Sequence, residues 1–101
     1  MYDKQEFQHK VREICHGLAE LLIAKNEAYG NSALSPLNCF FKGDATTAIK
    51  VRIDDKLSRI MKGKEYGQDD TILDIMGYLV LLKISLEQDM KKEVEEYDPP
   101  F

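Results

Sequence analysis

The stretch "DDTILDIMGYLVLLKI", residues 69–84, is the most hydrophobic helical pattern in this 101-residue chain, yet it carries a carboxylate in its interior. From Ile72 onward, apolar residues occupy nearly every side of the helix, as they do in a buried helix. Asp74 lies inside this run, and Asp70 precedes it by one turn. Because a buried charge must be paired or bound to a metal, this helix predicts the position of both the core and a candidate site.

The composition limits the classes of protein to which the chain can belong. A length of 101 residues with 44% hydrophobic residues suits a single domain, residues 1–101, with one modest core. A net charge of −4 weighs against direct nucleic-acid binding by bulk charge. Cys15 and Cys39 have no CxxC partner, and neither a leader peptide nor a bilayer-length apolar run is visible. We therefore expect a cytoplasmic protein without a membrane segment.

Three segments have helical periodicity, and none alternates with the period of a strand. The predicted elements are helix 1 within residues 1–30, a loop at 31–43, helix 2 at 44–62, helix 3 at 69–96 and a tail at 97–101. Asp3, Asp44 and Asp69 are the predicted N-caps, and Gly30 is the predicted end of helix 1. The predicted fold class is all-α, a small antiparallel bundle of three main helices.

Apolar stripes predict which face of each helix is buried. They comprise Phe7, Val11, Ile14, Leu18, Leu21 and Leu22 in helix 1, and Ala45, Ile49, Ile53, Leu57 and Ile60 in helix 2. Extending the first stripe places Lys25 and Tyr29 on the buried side as well. Helix 3 is more apolar around its circumference than a three-helix monomer could cover, which predicts a bundle completed by oligomerisation, as a homodimer or homotetramer.

The third helix presents a candidate cation site. Asp70, Asp74, Gly77, Leu81 and Ser85 share one narrow stripe, with Tyr78 on its edge. Two carboxylates one turn apart can share Mg²⁺, which often takes only one or two carboxylates plus waters and substrate phosphates. The alternative for Asp70 is a place in the capping turn, where negative charge suits the helix dipole. That alternative does not account for Asp74.

Basic residues of helix 2 border its apolar stripe and admit two interpretations. They lie in "KVRIDDKLSRI", residues 50–60, which contains Arg52, Asp55, Lys56 and Arg59. Asp55 stands three residues after Arg52 and four before Arg59, as in a helical salt-bridge ladder. The other interpretation is a phosphate-binding edge, because guanidinium groups match phosphate oxygens. An inward Lys25 would contact an anionic ligand or neutralise Asp74.

Three ordered blocks carry a resemblance to a known family. "KNEAYGNS" (25–32), "VRIDDKLSRI" (51–60) and "DTILDIMGY" (70–78) resemble the signature of a phage and bacterial family, nucleotide-modification-associated domain 1. The resemblance covers about residues 18–86. That family is similar to the all-α nucleoside triphosphate pyrophosphohydrolases of the MazG and dimeric dUTPase type, which are helical dimers or tetramers that use Mg²⁺. The resemblance implies a MazG-like fold and a nucleotide ligand.

The resemblance also implies roles for individual residues. Asp70 and Asp74 would bind Mg²⁺, Asp55, Lys56 and Asp74 would take part in catalysis, and the substrate would contact Lys25, Asn26, Tyr29, Arg52, Arg59 and Tyr78. Two departures concern helix 1. Ala28 stands where the family pattern has an acidic residue, and no pair of inward glutamates matches the metal ligands of the MazG-type enzymes.

Three hypotheses follow from these patterns. The first is a Mg²⁺-dependent enzyme that hydrolyses a (deoxy)nucleoside triphosphate to monophosphate and pyrophosphate. The second is a non-catalytic helical module that binds a nucleotide or a protein. The third is a structural helical oligomer in which Lys25, Arg52 or Arg59 neutralises Asp74.

Overall fold

The computed structural model describes residues 1–35, 43–63 and 70–96, the last three by backbone alone. These residues form α1 (Lys4–Tyr29), α2 (Ala45–Met61) and α3 (Thr71–Glu96), and no strand occurs among them. The prediction of an all-α protein is therefore confirmed. The predicted N-cap Asp69 and the predicted tail at 97–101 lie outside the described residues. No described helix combines the length and the apolar character needed to cross a bilayer.

The chain forms two compact units, Met1–Asn31 with α1 and Ser32–Phe101 with α2 and α3. Both predicted ends of α1 are confirmed. The Asp3 carboxylate accepts a hydrogen bond from the Glu6 backbone N–H (2.8 Å), and the Glu6 carboxylate accepts one from the Asp3 N–H (3.2 Å). This capping box satisfies two of the N–H groups at the helix start. Gly30 ends α1 in the left-handed conformation with φ of 63°.

The apolar stripe of α1 is buried only over part of its length. Leu18 is buried, and Leu21 and Leu22 are half-buried. Phe7, Val11 and Ile14 are exposed by 60%, 44% and 43%. Lys25 and Tyr29 are also exposed, so the prediction that they lie on the buried face was wrong. The stripe stops at Leu22, and beyond it the ammonium and phenol groups keep contact with water, as long amphipathic side chains do.

Helices α2 and α3 pack against each other as an antiparallel pair. Thr46, near the start of α2, contacts Ser85 in the second half of α3, whereas Lys56, near the end of α2, contacts Asp74 in the first turn of α3. Between these polar contacts, Ile49 is 3% exposed and Ile53 is half-buried. This antiparallel pair of α2 and α3 is called the hairpin below. Its contact surface is apolar in the middle and polar at both ends.

The face of α2 that meets α3 differs from the predicted stripe at its two ends. Thr46 is 8% exposed and the Lys56 side chain 15%, whereas Leu57, predicted to be buried, is 44% exposed. Ile60 is 45% exposed. The physical reason lies on α3, because the polar partners of Thr46 and Lys56 stand on its facing side and bring these two residues into the contact.

Asp44 is the N-cap of α2, as predicted, and it makes the stability of this helix depend on pH. Its carboxylate accepts a hydrogen bond from the Thr47 backbone N–H (2.7 Å), which lowers the Asp44 pKa below its usual value of 3.8. A carboxyl whose folded pKa is depressed stabilises the fold fully above its unfolded pKa, and this stabilisation is lost as pH falls through the folded pKa.

We therefore expect Asp44→Asn, which keeps a good capping residue, to lose less thermal stability on acidification than the wild type. The measurement is the melting temperature followed by circular dichroism from about pH 5 down to about pH 2, the range over which a depressed carboxyl titrates. Asp54→Asn removes an exposed carboxylate of α2 that makes no cap, and it should retain the wild-type slope. Equal slopes for Asp44→Asn and the wild type would contradict the role of this cap.

Candidate functional site

Asp74 lies in the first turn of α3, and not in the interior of the helix as the sequence predicted, and its carboxylate has a counter-ion. Lys56 Nζ lies 3.1 Å from Asp74 Oδ2, and the two side chains are 15% and 27% exposed. Lys56 projects from α2 one turn before its end, and Asp74 projects from the first turn of α3. The expectation that Asp74 meets a cationic group is confirmed. The group is Lys56, however, and not one of the three basic residues named in the structural-oligomer hypothesis.

This ion pair leaves hydrogen-bonding capacity unused within the described part of the chain. A lysine ammonium has three donor hydrogens, and a carboxylate can accept about four hydrogen bonds. Among residues 1–35, 43–63 and 70–96, each of the two side chains forms one hydrogen bond, from Lys56 Nζ to Asp74 Oδ2. Both groups can therefore take a further polar partner without breaking the pair.

A buried hydroxyl lies one turn before Asp74. Thr71 is 1% exposed, and its Oγ1 has no hydrogen-bond partner among the described residues. Residues three apart on a helix share a face, so Thr71 and Asp74 stand on the same side of α3. A buried polar atom without a partner costs about 1–3 kcal/mol. Such an atom in a folded protein calls for an explanation, of which an additional polar ligand is one.

Asp70 is the N-cap of α3. Its Oδ1 accepts a hydrogen bond from the Leu73 backbone N–H (2.9 Å), and its carbonyl oxygen accepts one from the Asp74 N–H (2.9 Å). The alternative that placed Asp70 in the capping turn is therefore confirmed. The prediction of Asp69 as the cap was one residue too early, because two adjacent aspartates suit the position equally by residue type.

The predicted metal site remains a prediction. Asp70 and Asp74 each have one carboxylate oxygen engaged within the chain. Within residues 1–35, 43–63 and 70–96, no group of three or more His, Cys, Asp or Glu side chains is placed to hold a metal ion. This donor set does not form a complete site by itself. It suits Mg²⁺ only together with additional oxygens, such as those of substrate phosphates.

The side chains of the other predicted site residues of α2 and α3 are not bonded to the Lys56–Asp74 pair in the described part of the chain. Arg59 lies 3.3 Å from Asp55, four residues earlier, so this part of the salt-bridge ladder is confirmed. Asp55 is exposed by 57% and Arg59 by 35%. Arg52 is exposed. Tyr78 is half-buried one turn after Asp74, on the side of α3 that carries the ion pair.

The candidates of α1 belong to the other compact unit. Lys25 and Tyr29 are exposed, and the Asn26 side-chain amide donates a hydrogen bond to Asn31 Oδ1 (2.7 Å) just past the end of the helix. Of the residues predicted to form a site, the structure thus joins Lys56 to Asp74 across two helices. Asp70 and Tyr78 flank this pair along α3.

A second polar cluster lies at the other end of the hairpin, and sequence reasoning missed it. Thr46 Oγ1 is 2.5 Å from Ser85 Oγ and donates to Asp89 Oδ2 at 2.8 Å. Ser85 is 2% exposed. The signal for it is spacing, because Thr46, Ile49, Ile53 and Lys56 recur every three or four residues. On α3, Thr71, Asp74, Tyr78, Leu81 and Ser85 recur in the same way.

No protein-family model matches this chain, and neither a search of curated proteins nor one of solved structures returns a match. The resemblance carried by the three sequence blocks therefore remains an expectation. A function has to be argued from the side chains of the site themselves.

Proposed function

We propose that the chain binds the phosphate groups of a (deoxy)nucleoside triphosphate at the end of the hairpin where Lys56, Thr71 and Asp74 lie. These three residues are called the hairpin site below. One observation carries the proposal: the Thr71 hydroxyl is buried, has no partner among the described residues, and lies one turn from an ion pair that can form further hydrogen bonds. A ligand with several oxygens can accept bonds from the hydroxyl and the ammonium together.

Phosphate oxygens match the donors of the hairpin site. The Lys56 ammonium provides positive charge, and the start of α3 adds the positive end of a helix dipole close to Thr71. Arg59, on the turn of α2 after Lys56, supplies a guanidinium group that suits phosphate. The donors therefore favour an anionic, oxygen-rich ligand.

In this proposal Asp70 and Asp74 are ligands of a Mg²⁺ ion that binds together with the nucleotide. Carboxylates repel a bare polyphosphate, whereas Mg²⁺ is commonly held by one or two carboxylates together with waters and phosphate oxygens. Asp70 and Asp74 would hold Mg²⁺ that arrives with the nucleotide, where it would neutralise negative charge. Lys56 and Thr71 would orient the phosphates through hydrogen bonds.

The resemblance supports a nucleotide as the source of the phosphates. Two of its three blocks, residues 51–60 and 70–78, contain Lys56 and Asp74 respectively. The family it points to acts in phage and bacterial nucleotide metabolism, and the related pyrophosphohydrolases release pyrophosphate. Hydrolysis to monophosphate and pyrophosphate is therefore the reaction to measure alongside binding.

The test is a thermal-shift titration with the common NTPs and dNTPs, each with and without Mg²⁺. We expect at least one nucleotide to raise the melting temperature, since a ligand at about 100 times its Kd stabilises the folded state by about 2.7 kcal/mol. Lys56→Met should abolish this shift. Lys50→Met removes an exposed lysine of the same helix and should retain it. Pyrophosphate release distinguishes an enzyme from a binding module.

A second candidate is a structural helical protein in which the ion pair only fixes the hairpin. It is favoured by the finding that Asp74 is neutralised by Lys56 within its own chain. Under this alternative no nucleotide raises the melting temperature of the wild type. That result would overturn the proposal of a nucleotide site.

A further inference from the structure

The Thr46 hydroxyl joins the start of α2 to the second half of α3. Thr46 Oγ1 donates a hydrogen bond to Asp89 Oδ2 (2.8 Å), and it lies 2.5 Å from Ser85 Oγ. Since a hydroxyl has only one hydrogen to donate, the Ser85 hydroxyl is the donor in the second contact. The Thr46 hydroxyl is therefore bonded to two residues of α3, through one donated and one accepted hydrogen bond.

These two partners determine where Thr46 lies along α3. Ser85 and Asp89 are four residues apart, so they stand on successive turns of one face, about 6 Å apart along the axis. A shift of α2 in either direction would lengthen one of the two hydrogen bonds. Water cannot easily replace these bonds, because Thr46 is 8% exposed and Ser85 is 2% exposed. The short, β-branched threonine side chain has few rotamers with which to follow such a shift.

The hairpin site depends on the position that these bonds give to α2. The Lys56 ammonium stands at the end of a flexible four-carbon stem, so its ion pair with Asp74 does not by itself fix where the ammonium lies relative to Thr71. Between the two polar contacts, Ile49 is buried and Ile53 is half-buried, and apolar contacts have no direction. The Thr46 contact is therefore the one that determines where the backbone of Lys56 lies.

We propose that Thr46, Ser85 and Asp89 are positioning residues for the hairpin site. Their hydrogen bonds hold α2 where the Lys56 ammonium reaches both Asp74 and the phosphates of the ligand. The three residues act through Lys56, about 15 Å away along α2, and do not contact the phosphates themselves. The ligand in this inference rests on the proposed nucleotide site, whereas the positioning of the ion pair rests on the hairpin alone.

The first test is the binding of tripolyphosphate with Mg²⁺, measured by isothermal titration calorimetry. Tripolyphosphate is the phosphate chain that all nucleoside triphosphates share. Thr46→Val should raise its Kd about tenfold, within the range by which residues without ligand contact modulate a site. Thr46→Ser keeps the hydroxyl and should retain the wild-type Kd. Ile49→Val is the matched control, because it lowers stability at the same contact surface and should leave the Kd unchanged.

The second test needs no ligand. The free energy of unfolding is measured in urea for Thr46→Val, for Lys56→Met and for the double variant. The effects of substitutions this far apart, without a shared partner, normally add. If Thr46 positions Lys56, the loss caused by Lys56→Met should be smaller in the Thr46→Val background, because the ion pair is already weakened there.

Additive effects in this double-mutant cycle would overturn the positioning role. A wild-type Kd for Thr46→Val, or an equal loss of binding in Ile49→Val, would do the same. A wild type that binds no tripolyphosphate would contradict the phosphate site instead, and the cycle would still decide whether Thr46 positions the ion pair. The failure of this inference is therefore distinguishable from the failure of the proposed function.

Discussion

Replacing Lys56 with Met is expected to lower the free energy of unfolding by about 2 kcal/mol. The substitution leaves the Asp74 carboxylate, 27% exposed, without its counter-ion. Removing one partner of a fully buried pair costs about 3–5 kcal/mol, whereas an exposed pair contributes about 0–1 kcal/mol. The exposures of this pair place it between the two limits. Urea unfolding followed by circular dichroism measures the loss.

Two further variants separate loss of the pair from loss of packing. Lys56→Met combined with Asp74→Leu should recover most of the stability, because the double variant removes both charges of the pair and leaves neither one uncompensated. Lys10→Met breaks an exposed pair with Glu13 on α1 and should have a much smaller effect than Lys56→Met. If Lys56→Met and Lys10→Met prove equally mild, the pair at the hairpin is solvated and gives no support to a site.

The second large effect has the opposite sign, since Thr71→Val should stabilise the ligand-free protein by about 1–2 kcal/mol. Valine keeps the β-branched shape and a similar helix propensity, and it removes a buried hydroxyl that has no partner among the described residues. Eliminating the desolvation cost of such a group is the source of the gain. The same variant should weaken the stabilisation by nucleotide, because the proposed ligand loses a donor.

Thr46→Val is the matched control for this substitution. Thr46 is also buried and lies on the same contact surface, but its hydroxyl bonds to Ser85 and Asp89. Removing that hydroxyl takes a partner from the buried Ser85 hydroxyl, so this variant should be less stable than the wild type. If Thr71→Val instead destabilises as Thr46→Val does, the Thr71 hydroxyl has a partner in solution and the argument for a ligand there fails.

Local signals predicted the helices well. Asp3 and Asp44 cap their helices, and Gly30 ends α1, because caps depend on residue type and on hydrogen bonds within a few residues. Residue type could not decide whether Asp69 or Asp70 caps α3. The structure shows that the cap is Asp70. The helix bounds could thus be read from the sequence to within a few residues.

The face that one helix presents to another was predicted less accurately. Ala45 and Leu57 fit an apolar stripe of α2 as well as their neighbours do, and only the partners on α3 select Thr46 and Lys56. The periodicity of one helix does not contain that information. For the same reason, the sequence named Lys56 among several basic residues of α2 but could not select it as the one that lies across from Asp74.

The polar contacts at the two ends of the hairpin fix the position of α2 along the axis of α3. Thr46 and Lys56 are ten residues apart on α2, which is about 15 Å along the axis. Ile49 and Ile53 lie between them, and their apolar contacts are less directional than hydrogen bonds. A slip of α2 by one turn would break both polar contacts at once. The two helices therefore have one favoured alignment. A shift of α2 along α3 that breaks the contact of Thr46 also breaks that of Lys56, whereas a smaller disturbance at Thr46 leaves the Lys56 contact unchanged.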